Sequence, residues 1–357
     1  MSDRAAKRAT RRLHPVLSLI LARVREFYRE PEAVFWVYIF PLVLVVALGA
    51  AFRNRPVDVF KVAVQQGSRA DAVGAVLGGD RRFRVAVCDE QESQFRLRTG
   101  RVDLVIAVSA QSPQERHYYF DPTRTESVLA RDAADDLLQR AAGRQDALAV
   151  HNHEVDEPGG RYIDFLVPGL LGMGLMGGGL WGVGYAIVDM RIRKLLKRYL
   201  ATPMKRSHFL AAVIVSRMLF MLPEVVVLLI FARLMFGVTS AGGYLAVGVL
   251  ALLGALEFSG IGLLVASRAQ TIETVSGLMN AVMLPMYIGS GVFFSAERFP
   301  EVVQPVLGVL PLTPLIHALR GVMLEGTSLV WLGADLAVIA AWGCVTFVLA
   351  LRWFRWT

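Results

Sequence analysis

Two carboxylates stand inside apolar runs, where a carboxylate is costly. Glu224 follows Pro223 within the run 209–236, and Glu257 lies near the middle of the run 244–266. A charged side chain at that depth in a bilayer costs ~2.5–3.5 kcal/mol on insertion scales unless it is paired, protonated or hydrated. Such groups either line a polar route or latch one helix to another. Arg217 precedes Glu224 by two turns on the same face, and at that spacing the sequence predicts no direct pair. A second concentration of chemistry is DMRIRKLLKRYLATPMKRSHFL, residues 189–210. Arg191, Arg193, Lys194, Lys197, Arg198, Lys205 and Arg206 accompany Ile192, Leu195, Leu196, Tyr199 and Leu200, which recur on one face of a helix. A basic amphipathic segment between two apolar runs lies on the cytoplasmic side, where anionic lipid or a partner protein can grip it.

Other chemistries are weaker. His151, His153, Glu154 and Asp156 cluster as metal ligands do, but the spacing reads better as a solvated linker, and no metal is expected. Ser259 and Ser290 sit beside glycines inside apolar runs, with no histidine at a comparable depth to act as base. The patterns H-E-x-x-H and G-x-x-x-x-G-K-[ST] are absent. The glycines at 169, 172, 174, 177, 178, 179, 182 and 184 therefore read as helix-packing positions. Cys88 and Cys344 lie in unlike surroundings and predict no disulfide. No catalytic constellation is expected in this chain, and no nucleic-acid module accompanies its basic residues.

The elements that carry these residues follow from composition. Hydrophobic residues make up 55% of the 357, charged residues only 19%, and the net charge is +8. Mean hydropathy is +0.48. These values describe an integral membrane protein and not a soluble domain. Residues 1–32 carry a basic stretch whose apolar positions from Leu13 to Tyr28 repeat at helical spacing, an interfacial cytoplasmic helix. Residues 33–52 form a first spanning helix. Residues 53–160 have soluble character, with strands predicted over 60–64, 83–87, 102–108 and 117–120 and helices over 71–77, 90–97 and 125–142. Long domains cross membranes largely regardless of charge, so this small α/β domain is expected outside the cytoplasm.

Residues 161–357 hold further spans near 162–188, 209–236, 244–266, 275–295 and 330–351, with a cytoplasmic loop at 189–207. Between them, 297–327 contains two short apolar stretches punctuated by Pro300, Pro305, Pro311 and Pro314. Neither reaches ~20 residues, so both are expected to enter the bilayer and return on the same side. Six spans place both termini in the cytoplasm, in agreement with the positive segments.

The segments REPEAVFWVYIFPLVLV, IRKLLKRYLATPMKRSHFL, GLMNAVMLPMYIGSGVFFS and LPLTPLIHALRGVML together resemble the permease subunits of ABC type-2 exporters. GRVDLVIAVS is similar to a strand motif in the branch with a small outer domain after the first span. The resemblance covers nearly the whole chain. It implies a six-span subunit of the bacterial cytoplasmic membrane, paired with a second permease copy or paralogue and contacting membrane lipid. It also implies a separate cytoplasmic ATPase subunit that holds ATP and Mg, with no cofactor in this chain. Arg191, Arg193, Lys194, Leu195, Lys197, Arg198, Thr202 and Pro203 would couple that ATPase to the spans. Glu224 and Glu257 would be candidates for the translocation pathway, and Pro311, Pro314, His317 and Arg320 for a re-entrant outer gate. The implied cargo is a drug, lipid or glycolipid-like molecule moved outward. A membrane receptor with an outer ligand-binding domain is the alternative reading, and a membrane enzyme a weaker one.

Overall fold

The computed structural model describes residues 15–53, 59–67, 69–108, 115–145, 148, 160–201 and 206–354. The chain divides into two compact units, Met1–Arg53 with Asp156–Thr357, and Asn54–Val155.

The first unit opens with α1 (Pro15–Arg29), which buries Leu19 and Ile20, leaves Arg25 and Arg29 exposed and turns Arg23 toward the helices it packs on. After Glu30 come α2 (Pro31–Val34), a π-helical stretch (Phe35–Ile39) and α3 (Phe40–Arg53). Pro41 has no N–H to give to Val37, and the turn before it widens so that Phe40 bonds to Phe35.

The second unit is a four-stranded sheet. In chain order it contains β1 (Phe60–Gln65), α4 (Ala70–Gly78), β2 (Phe83–Cys88), α5 (Glu90–Arg98), β3 (Leu104–Val108), β4 (Arg116–Tyr119) and α6 (Thr125–Ala141). The strand order is β2-β1-β3-β4, with β1 parallel to β2 and β3, and β4 antiparallel to β3. Alternation divides the strands between two layers. Val62, Val64, Leu104 and Ile106 pack with Leu77, Ala130, Ala134 and Leu138 of α4 and α6. Ala63, Cys88 and Val105 pack with Leu97 of α5 on the opposite face. The two crossovers thus lie on opposite faces and run in opposite directions, as right-handed connections require. Asp89 caps α5 by accepting from the Glu92 N–H at 2.7 Å. Burial pushes the Cys88 thiol up from its ordinary range.

The remainder of the first unit is helical. It comprises α7 (Tyr162–Gly179), a π-helical stretch (Leu180–Tyr185), α8 (Ala186–Ile192), α9 (Leu195–Leu200), α10 (Arg206–Phe236), α11 (Tyr244–Ala266), α12 (Ile272–Gly289), α13 (Gln304–Val309), α14 (Leu312–Glu325) and α15 (Gly333–Trp353). Among the described residues, five helical runs are long and apolar enough to cross a membrane: Pro31–Ala51, Tyr162–Ile192, Ser207–Phe236, Tyr244–Ala266 and Gly333–Trp353. The run expected at 275–295 folds as the 18-residue α12. At ~1.5 Å per residue it is ~27 Å long, a little short of a ~30 Å hydrocarbon core. The punctuated stretch gives α13, six residues long, and α14, fourteen residues long. Prolines at their starts fix those boundaries.

α7 and its π-helical continuation are the centre of the helical unit. Small residues bring α11 close: a Cβ on Gly262 would lie 2.6 Å from the Gly179 carbonyl, and a Cβ on Gly184 would lie 2.6 Å from the Gly262 carbonyl. Backbone-to-backbone approach of this kind holds helices together in lipid, where burial from water supplies no drive. Gly262→Leu must therefore push α11 off α7 and lower the melting temperature in detergent, since overpacking costs ~1–3 kcal/mol or more. Gly277 of α12 meets nothing within 4 Å of its Cβ position. Gly277→Ala is expected to melt at or slightly above the unsubstituted protein, because alanine restricts the unfolded chain. Circular-dichroism melts of the two variants make the comparison.

Candidate functional site

The polar centre of the helical unit is an ion pair. Arg217 Nη2 donates to Glu224 Oε2 at 2.9 Å, and the residues are only 3% and 7% exposed. The sequence spacing predicted no direct pair, and that expectation is overturned. Two turns separate the backbones by ~10 Å, but the long arginine lies along the helix and covers the gap. Glycines make this possible. Gly174, Gly178 and Gly182 form one stripe down α7 and its π-helical continuation, facing α10. A Cβ on Gly174 would stand 2.5 Å from Glu224 Oε1, one on Gly178 would overlap the Arg217 guanidinium, and one on Gly182 would stand 3.4 Å from Arg217 Cδ. The sequence predicts a helix-packing seam at these three glycines; they are instead a cradle for the Arg217 and Glu224 side chains.

Residues from the π-helical stretch of the first span complete the cluster. The Tyr38 hydroxyl donates to the Phe220 carbonyl at 3.2 Å. Tyr38, Val37, Pro41, Gly174 and Glu224 border a space of about 10 Å³, about one water in size. α1 reaches the same level: Phe27 stacks on Phe220 with ring centroids 4.3 Å apart, and Arg23 Nη2 donates to the Gly182 carbonyl at 3.3 Å. Sequence reasoning named Arg217 without its bond to Glu224, and did not place Tyr38 or Arg23 in the cluster. The signal that could have found them is the i, i+4, i+8 spacing of Gly174, Gly178 and Gly182 opposite a helix carrying both charges.

Glu257 is different. It is 1% exposed on α11, and neither carboxylate oxygen has a partner among the described residues. The two glutamates are therefore not equivalent: one is paired across two turns, the other is isolated. Ser259, two residues further along α11, spends its hydroxyl on the Ala255 carbonyl at 2.5 Å. Asp164 accepts from Arg161 at 2.9 and 3.0 Å, and Arg161 Nη1 also donates to the Phe236 carbonyl at 3.0 Å, tying the start of α7 to the end of α10.

The basic segment is not one helix. α8 ends at Ile192, and Lys194 adopts a left-handed backbone with φ 59° before α9 begins at Leu195. A left-handed residue terminates a helix and redirects the chain. The redirection buries Leu196 and sets Tyr199 against Phe209, with centroids 5.4 Å apart. Arg191 does not belong to the exposed basic face. Its Nη1 donates to the carbonyls of Ala266, at 2.8 Å, and Ala269, capping the end of α11, and its guanidinium lies over the Phe354 ring. Arg193 donates to Asp189 at 2.9 Å, and its side chain is 64% exposed. Lys194, Lys197 and Arg198 are exposed, and Leu195 is half-buried. Thr202 and Pro203 lie outside the described residues, as does the His151, His153, Glu154 and Asp156 cluster. No other cluster of metal-ligating residues occurs among the described residues.

The four residues expected at a gate separate into two kinds. Pro311 stands at the N-terminus of α14 and Pro314 is buried in its first turn. Arg320 donates to the carbonyls of Gly291, at 2.5 Å, and Phe165, at 3.2 Å, stapling α14 to α7 and to the turn after α12. His317 Nδ1 bonds Asp335 Oδ2 of α15 at 2.9 Å. That bond holds the imidazole above its ordinary value of 6.5. Trp342 Nε1 donates to the Val309 carbonyl at 2.9 Å and closes the end of α13.

A family model described as "ABC-2 family transporter protein" matches residues 32–352. The chain belongs to the ABC-2 transporter family. It is similar to the inner membrane transport permease YadH of Escherichia coli strain K12, 26% identical over 207 residues, which are 57% of this chain and 76% of that protein. The YadH protein of Shigella flexneri matches to the same extent. An ABC-2 permease is a membrane transport subunit without an ATPase site of its own, and its family implies a partner ATPase subunit. Family membership decides for a permease against the receptor reading.

Removing one partner from a buried ion pair leaves the other uncompensated, at ~3–5 kcal/mol. Arg217→Leu and Glu224→Leu should each lower the melting temperature of this ABC-2 permease strongly, and the double variant by less than their sum. Glu257→Gln has no partner to lose and should melt at or above the unsubstituted protein. Thermal melts in one detergent test all four. The His317 contact has a pH sign. With its folded value raised, its contribution is full below about pH 6.5 and is lost as pH rises through the folded value. A melting temperature that falls from pH 6 to pH 8.5, with part of the fall removed in His317→Gln, is the expected result.

Proposed function

We propose that this chain is the permease subunit of an ATP-driven exporter that moves an amphipathic or hydrophobic molecule, of drug, lipid or glycolipid class, out across the bacterial cytoplasmic membrane. The observation that carries the reading is the family match from residue 32 to residue 352. Among the described residues, all five helical runs long and apolar enough to cross a membrane lie in that range to within a residue at each end. The printed description of the relative, an inner membrane transport permease, supports the location.

In this reading α12 is a further span, its ~27 Å accommodated by slight thinning of the bilayer. Both termini and the 189–207 segment then face the cytoplasm, and residues 53–160 form an extracytoplasmic domain. α13 and α14 are the re-entrant pair at the outer side, with Arg320 and His317 holding the pair to α7 and α15. Two copies, or this chain and a paralogue, form the membrane part, with the ATPase subunits beneath.

The coupling role falls on the exposed cations. Arg193, Lys194, Lys197 and Arg198 present charge around the bend at Lys194, and α1 lies against α10 as a second cytoplasmic contact. Arg191 is the anchor that fixes the bend to the end of α11. The Arg217–Glu224 pair sits where α1, the first span, α7 and α10 meet. We assign it the role of a latch between the coupling side and the spans, with Glu257 the candidate for the cargo route.

Reversal of charge at Arg193, Lys194 and Lys197 together is expected to reduce co-purification with the ATPase and cut transport-linked ATP hydrolysis by tenfold or more. Insertion and melting temperature should stay near those of the unsubstituted protein. Arg191→Glu should instead lower the melting temperature, because it removes the cap on α11. Undiminished coupling in the triple variant would overturn the assignment.

A further inference from the structure

The outer surfaces of α10 and α11 border an apolar groove of about 340 Å³. Its α10 wall is the exposed ridge of Leu222, Val226 and Ile230, which ends at Arg233. Its α11 wall contains Tyr244 and Gly248. The groove exists because small residues follow Tyr244 down the facing side of α11. Gly248 is exposed, and a Cβ there would meet nothing within 4 Å.

Its polar groups stand at one end. Arg233 lies in the last turn of α10, and Tyr244 begins α11 across a short turn. The Arg233 guanidinium forms no hydrogen bond or ion pair among the described residues, and no carboxylate lines the groove. The rest of the groove is hydrocarbon. From Arg233 to the deepest lining residue of α10, Met221, the helix rises ~18 Å, about the depth of one leaflet of a ~30 Å hydrocarbon core. A cation and a phenol at the membrane boundary, above an apolar trough one leaflet deep, complement a phosphodiester above an acyl chain.

We propose that this groove is a binding site for one anionic glycerophospholipid of the adjoining leaflet. Its phosphate pairs with Arg233 and bonds the Tyr244 hydroxyl, and one acyl chain lies between α10 and α11. A second copy of this chain suits the groove less well, because the groove offers that copy a positive charge and no negative one. The site is separate from the glycine-cradled pair, which faces α7 from the other side of α10, and it stands whatever the transported molecule is.

The test uses the full chain, purified and delipidated in a mild detergent. It is incubated with equal amounts of dioleoyl phosphatidylglycerol and dioleoyl phosphatidylcholine, and native mass spectrometry counts bound lipid. The unsubstituted protein should retain the anionic lipid about fivefold over the zwitterionic one, the preference expected of one boundary arginine. Arg233→Gln should abolish the preference and keep some lipid of both kinds, and Arg233→Lys should restore most of it. Gly248→Phe, whose side chain enters open space, should displace both lipids. Val226→Trp fills the same trough from α10 and guards against a folding defect in either variant. Val345→Phe, on the exposed face of α15, should change nothing. Equal retention of the two lipids by the unsubstituted protein, or an unchanged lipid count in both groove-filling variants, overturns the site and leaves ordinary annular lipid. Disulfide dimers formed efficiently by Gly248→Cys overturn it in favour of a second copy.

Discussion

Inside a bilayer no water is at hand to take up an unpaired charge, so a helical bundle that carries one must supply the counter-charge and the room for both. The Arg217–Glu224 pair meets that requirement on a single helix. The room comes from the helix opposite, whose glycines at 174, 178 and 182 leave a slot where side chains would otherwise project. Much else follows from this slot. α7 can approach α10 only because the guanidinium lies in it, and α1 and the first span are placed by contacts with Phe220 and Gly182 at the same level. The other glycines of α7 serve other neighbours: Gly179 and Gly184 admit α11, and Gly172 admits Ile316 of α14.

Arginine has a second use in this unit. Arg161, Arg191 and Arg320 each donate to main-chain carbonyls of a different element, at the end of α10, the end of α11 and the turn after α12. Helix C-termini leave carbonyls without partners and carry partial negative charge, and guanidinium groups satisfy both at once. Arg161 and Arg191 stand at helix boundaries, and Arg320, midway along α14, reaches a turn carbonyl at Gly291. The pair on α10 is the exception, and it brings its own counter-ion.

Much of this was legible in the sequence. The short apolar, β-branched runs in FKVAVQ and LVIAV placed β1 and β3 to within a residue or two, because strands of a sheet covered on both faces read as continuous apolar stretches bounded by polar residues. The apolar runs gave the long helices for a similar reason. What stayed hidden depended on which helix lies opposite which. The rule that side chains three or four apart interact holds on a free helix surface; Arg217 and Glu224 meet at seven because a neighbouring slot guides the arginine along the axis. Arg191 and Arg193 look alike in RIRKLLKR, yet one caps α11 and the other is exposed, a distinction that only the position of α11 decides. Nothing in the residue pattern marks Lys194 as left-handed, since lysine has no preference for that region; burial of Leu196 and the approach of Tyr199 to Phe209 impose it.

The two π-helical stretches, at Phe35–Ile39 and Leu180–Tyr185, flank the paired charges from the first span and from α7. A widened turn holds one residue more than the length of helix it occupies. Moving that surplus along the axis by one turn rotates each side chain it passes by about 100° and breaks no more than one or two backbone bonds at a time. In the first span Pro41 fixes the widened turn in place, so the surplus residue there is a permanent twist that aims Tyr38 at α10. No proline lies in the stretch that continues α7, so that helix possesses slack in register that a uniform α-helix lacks, and its glycine face can turn relative to α10 by a screw motion.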